Sequence, residues 1–189
     1  MYDRSIMRCV AVALALLGSQ ACLVLTVHPS HEKRSLVWEP ALVGEWLNSD
    51  DNSAVTIERA EWQSYSIEYA HPIERGRLTG YLTRIGDAQY LDVMPGRGED
   101  RGAFLLPVHA TLRVVLDGDR LELTALSYDY FFDRLKKKDG RIPGLEVVFD
   151  EKENALVVSP TAALRGWLRK LGSDSPAFGA PAVFTRKVP

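Results

Sequence analysis

The chain has 189 residues, with 23 Lys+Arg against 25 Asp+Glu and a formal net charge of −2. Hydrophobic residues make up 46% and charged residues 25%, the composition of a globular domain rather than a disordered or fibrous chain. This balance excludes a nucleic-acid binder that works by bulk basic charge, and it excludes an acidic tail protein.

The only two cysteines, Cys9 and Cys22, fall in the first apolar stretch. The rest of the chain therefore holds no disulfide framework, zinc ribbon or cysteine nucleophile.

Arg4 and Arg8 precede an apolar run from Cys9 to Val27. A short basic region, an apolar core from Val10 to Leu17 and small residues after it predict an export leader over residues 1–21. Gly18-Ser19-Gln20-Ala21-Cys22 resembles a bacterial lipobox, with Ser19 where leucine is usual; the resemblance implies lipidation at Cys22. Ser19-Gln20-Ala21 also fits ordinary signal cleavage. A single hydrophobic membrane helix is the third reading, since roughly 19 apolar residues come near the length that crosses a bilayer. Each of the three carries the remaining chain across a membrane, so the expected location is exported and membrane-anchored, facing the periplasm or the outside.

Residues 22–40 read as a polar tether, with Pro29 and the run His31-Glu32-Lys33-Arg34. Its two histidines lack a clustered carboxylate or cysteine, so the expectation is a solvated linker and no metal site.

Residues 41–189 read as one mainly β domain. Apolar and polar side chains alternate at period two through 54–60, 65–69, 77–85, 89–94, 112–116 and 120–126, and strands also fit 146–149, 155–158 and 182–186. Gly86-Asp87 and Asp117-Gly118-Asp119 mark tight hairpin turns.

Two helices interrupt the strands. Ser127 caps one in which Tyr128, Phe131, Phe132 and Leu135 share a face, with Lys136–Lys138 and Gly140 at its end. Ser159 as N-cap and Pro160 at the first helical position start the other, whose stripe is Leu164, Trp167, Leu168 and Leu171, with Gly172 as the stop. Both stripes are expected to cover the core of the strands, as a lid or plug. The stretch Pro95–Pro107 breaks the alternation and reads either as a loop at a barrel mouth whose Phe104-Leu105-Leu106 enters the cavity, or as a surface loop anchored by that apolar end.

Gly44-Glu45-Trp46 stands on the first strand of the domain and Arg186 on the last. This pattern resembles the calycins (lipocalins, fatty-acid-binding proteins and avidins), in which a Gly-x-Trp packs under an arginine from the final strand. The resemblance implies an antiparallel calycin-like β-barrel closed at one end by Trp46 and Arg186. A guanidinium stacked on an indole that also donates to nearby carbonyls is a sound physical device for that closure. The two helices depart from the simple barrel. The layout also resembles exported bacterial lipoproteins, which carries a location and no activity.

Three functions fit these features. The first is a non-catalytic barrel that takes an apolar small molecule, with Tyr65, Tyr69, Tyr81, Tyr90 and Phe104 as candidate lining residues. The second is an envelope assembly factor that contacts another protein. The third is a hydrolase that uses His109 with Asp92 or Asp129 and a serine, although no Gly-x-Ser-x-Gly or His-Glu-x-x-His motif is present. His109 reads as a structural residue under the first two. No cofactor, metal or nucleic acid is expected.

Overall fold

A computed structural model describes residues 24–72, 74–96, 108–138, 140–151 and 153–187. The leader with Cys9 and Cys22, and the stretch 97–107 with Phe104, lie outside the described residues. Among the described residues no helix is long and apolar enough to cross a membrane.

Eight antiparallel strands close into a barrel in the order β11-β2-β3-β4-β5-β6-β7-β8. They are β2 (Gly44–Leu47), β3 (Ala54–Arg59), β4 (Tyr65–His71), β5 (Glu74–Ile85), β6 (Ala88–Pro95), β7 (Ala110–Asp117), β8 (Arg120–Ala125) and β11 (Ala182–Arg186). β11 closes the ring by pairing with β8 through Phe184↔Leu121 and with β2 through Arg186↔Trp46. The fold is therefore mainly β, a closed barrel accompanied by two short helices.

Inward positions follow the alternation. Trp46, Val55, Ile57, Tyr65, Ile67, Leu82, Leu91, Val93, Val114, Leu121 and Phe184 form one buried cluster inside the barrel.

Outside the barrel, β1 (Val24–Thr26), β9 (Val147–Phe149) and β10 (Ala155–Val157) make a separate three-stranded sheet in the order β1-β10-β9. β1 runs parallel to β10, and Thr26 bridges to His109 at the edge of the barrel.

The helices α1 (Tyr128–Phe132) and α2 (Thr161–Leu168) join this sheet to form a second core. Val24, Ile85, Tyr90, Phe131, Ala155, Val157, Leu164, Trp167 and Leu168 are buried in it. This corrects the expected lid. The helical stripes face a second core outside the barrel, where Phe131, Leu164, Trp167 and Leu168 are buried, Tyr128 and Phe132 pack on Phe149, and Ile85 and Tyr90 add the apolar outer face of β5 and β6.

Two helix details also differ from expectation. After Phe132 the backbone continues as a π-helix over Asp133–Lys138. α2 starts at Thr161 with Pro160 at the N-cap, and Ser159 Oγ instead accepts the Glu146 N–H at 2.6 Å.

The segment after β1 is folded, not a solvated tether. Ser30 is fully buried, Leu36 bridges to Thr83, and Val37 N–H donates to Leu82 O at 2.9 Å. The physical reason is Asp92, a buried carboxylate on the barrel wall that takes its donors from this segment.

Candidate functional site

The barrel has a sealed end and an opposite mouth. At the sealed end Arg186 lies over Trp46, its guanidinium carbon 4.2 Å from the ring centroid. Its nitrogens donate to Val43 O at 2.9 Å and to Ala41 O, and pair with Asp119 at 3.2 Å. Gly44 has φ +146°, and a Cβ there would stand 2.5 Å from Arg186 Nη1. The Gly-x-Trp spacing thus has a local cause, since only glycine leaves room for the guanidinium beside the indole.

Trp46 Nε1 donates to Leu42 O at 2.9 Å. Tyr65 Oη accepts from Glu39 N at 2.8 Å, and Trp38 stacks on the Tyr65 ring at 4.7 Å. Burial pushes the Tyr65 phenol above its ordinary range.

Toward the other end the same inward rows become accessible. Along the pairing rows, buried Val55 leads to Tyr69, Ile67 to Leu78, Val93 to Ala110, Leu91 to Leu112 and Val114 to Leu123. The second member of each pair is half-buried, as is Ala182 beside Leu123. Leu116, next to the β7–β8 turn at the sealed end, departs from this gradient. Tyr69 lies across Gly76, where a Cβ would stand 2.5 Å from the ring, so the ring covers bare backbone. Among the described residues, the inward side chains at this end are thus apolar and less deeply buried than those around Trp46.

The candidate lining residues do not share one space. Tyr65 is buried at the sealed end and Tyr69 stands at the mouth, both facing inward. Tyr81 and Tyr90 face the other side of the wall. Tyr81 stacks on His31 at 4.4 Å, and Tyr90 belongs to the flank core. They are therefore corrected from the lumen to the flank, and the cause is the odd–even phase of β5 and β6.

The unanticipated feature is a buried polar cluster on that flank. Asp92 is fully buried. Its Oδ1 lies 2.6 Å from His109 Nδ1, and its Oδ2 accepts the Ser30 hydroxyl at 2.8 Å and the Ser30 backbone N–H. His31 Nδ1 stands 3.5 Å from Oδ2. Burial alone pushes the Asp92 carboxyl up, but the His109 hydrogen bond, with His31 beside it, overcomes this and holds it at about 2.

Arg165 of α2 ties the cluster together, with Nη1 donating to Ser30 O at 2.7 Å and to Thr83 Oγ1 at 3.1 Å. The barrel wall, the N-terminal segment and a helix thus meet on one network.

The order of contacts is Ser30–Asp92–His109. Ser30 donates its hydroxyl proton to the Asp92 carboxylate, which itself faces His109, so this geometry clamps the segment to the barrel wall. Asp129 stands on α1, in a different element from His109. Among the described residues no three His, Cys, Asp or Glu side chains converge to hold a metal ion.

Sequence reasoning named Asp92 and His109 as a possible pair but missed Ser30, His31 and Arg165. The available signal was an acid at an alternating strand position flanked by Leu91 and Val93.

No protein-family model matches the chain, and no curated protein or solved structure matches it either.

Proposed function

We propose that the protein is a non-catalytic, calycin-type barrel of the cell envelope that takes an apolar small molecule at its open end. The observation that carries this reading is the gradient of exposure along the inward rows, from fully buried Trp46 and Tyr65 to half-buried Tyr69, Leu78, Leu112 and Leu123. An apolar cup closed at its base suits a ligand that enters with its hydrocarbon end first.

The test is competition of oleate against a fluorescent fatty-acid analogue on protein comprising residues 22–189. Saturable binding that Leu112→Asp weakens at least tenfold supports the reading. No saturable binding, or binding indifferent to Leu112→Asp in a folded variant, overturns it.

The anchor belongs to the same proposal. Val24–Thr26 are committed to β1, where Val24 and Thr26 are buried. That leaves Cys9–Leu23, roughly 15 residues, against the roughly 20 of a membrane-spanning helix. This favours a processed leader, with lipid on Cys22, over an uncleaved span. Metabolic labelling with a fatty acid, lost on Cys22→Ala, is the expected result. Label that survives Cys22→Ala, or a chain that carries no label at all, removes lipid from this reading.

A second reading, a contact with an envelope protein, is favoured by Trp62. It is 86% exposed at the β3–β4 turn, with φ +56°. A bulky residue held in that backbone region is uncommon. Pull-down from membranes that recovers a stoichiometric partner only with Trp62 intact supports this reading.

A further inference from the structure

A groove of about 700 Å³ runs along the flank between the β5–β6 hairpin, the outer face of β7 and the end of α2. Its size falls within the roughly 300–1,000 Å³ of small-ligand pockets. Arg84, Arg113 and Arg169 line it from three different elements, against one carboxylate, Asp87. The chain as a whole carries a net −2, so this concentration of positive charge is local.

The three guanidinium groups are held differently. Arg113 is positioned by donation from Nη1 to Ser173 O at 2.9 Å and by the Phe178 ring, 5.8 Å from its guanidinium carbon. Its remaining donors are left for a ligand. The stem of Arg169 lies on the hairpin turn, where a Cβ at Gly86 would meet its Cγ at 3.5 Å. Arg84 and Arg169 are exposed and make no ion pair among the described residues. Ile85, Tyr90 and Leu168, all buried members of the flank core, supply a rigid floor.

Guanidinium groups bind phosphate and carboxylate oxygens through paired, charge-assisted hydrogen bonds. We infer that this groove binds a small molecule carrying two or more phosphate or carboxylate groups. The site is separate from the barrel mouth, so the inference stands or falls independently of lipid binding there.

The test uses the full chain in an uncharged detergent, with the arginine Nε–Hε signals followed by NMR during titration with pyrophosphate and, separately, with citrate. The expected result is saturable shifts at Arg84, Arg113 and Arg169 with at least one probe, and at most small shifts at the ion-paired Arg77 and Arg120. The probe that binds tells phosphate from carboxylate preference. Arg84→Glu and Arg169→Glu are each expected to weaken binding at least tenfold. If Arg169→Glu does not fold, Arg84→Glu decides, because its side chain is exposed. No saturable shift with either probe, equal shifts at Arg77 and Arg120, or less than a twofold change in Arg84→Glu overturns the inference.

Discussion

The two ends of the barrel use the same strands for opposite purposes. At the sealed end, Trp46 and Tyr65 are fully buried and their polar atoms are satisfied by Leu42 and Glu39, while the partly exposed Arg186 pairs with Asp119. At the mouth, the inward side chains are smaller or half-buried, and Gly76 leaves bare wall for Tyr69 to cover. The difference teaches that deep burial is concentrated at one end of the barrel axis, which under the proposed function leaves binding to the other. The sealed end and the flank clamp hold the fold, which leaves the mouth free to expose apolar surface.

The largest expected effect is at the seal. Trp46→Ala removes the largest fully buried side chain and strands the Arg186 guanidinium, at a cost of about 4 kcal/mol. Urea unfolding measures this, and a loss below about 1 kcal/mol would mean that the seal carries no special share of stability.

Next comes the clamp. Asp92→Ala leaves the donors of Ser30 and His109 without their buried acceptor, for an expected loss of about 3 kcal/mol. Hydrogen exchange is expected to rise most in residues 28–36; uniform acceleration across the barrel would argue against a clamp.

Acid then sharpens the contrast. The folded-state value of Asp92 lies near 2, below its ordinary 3.8, so on acidification the unfolded chain takes up the proton first. The corresponding stability, about 2 kcal/mol, is fully present above pH 4 and is lost as pH falls toward 2. Unfolding curves across this range are expected to flatten in Asp92→Asn, and an unchanged slope would remove Asp92 as the cause.

The smallest effect is at the mouth. Leu123→Ala trims a half-buried side chain and is expected to cost about 1 kcal/mol, with a larger relative effect on fatty-acid binding than on stability. The reverse pattern would place Leu123 in the core in function as well as in position.

Much of the barrel was readable from alternation alone. Strands such as 54–59 and 120–125 show a period of two because one face meets the lumen and the other is exposed or only partly covered. The flank was harder, because β5 and β6 are buried on both faces near Ile85 and Tyr90, so the side chains there do not separate by polarity. β1 was hidden for a related reason. A short strand buried in a second core and the tail of an export leader are both simply apolar, and Leu23-Val24-Leu25 fits either.

The polar cluster was the least readable part. Asp92 occupies an ordinary outward strand position. Only when Ser30, His31 and Arg165 arrive from 62, 61 and 73 residues away does it become a buried acceptor.

The sequence by itself determined most of the barrel strands, the hairpin turns and the Gly-x-Trp spacing, because these depend on local periodicity and backbone freedom. The tertiary structure alone decided which face of the wall Tyr81 and Tyr90 occupy, where the helices dock and which groups Asp92 gathers. Those outcomes depend on pairing register and on contacts between distant segments, and no local pattern encodes either.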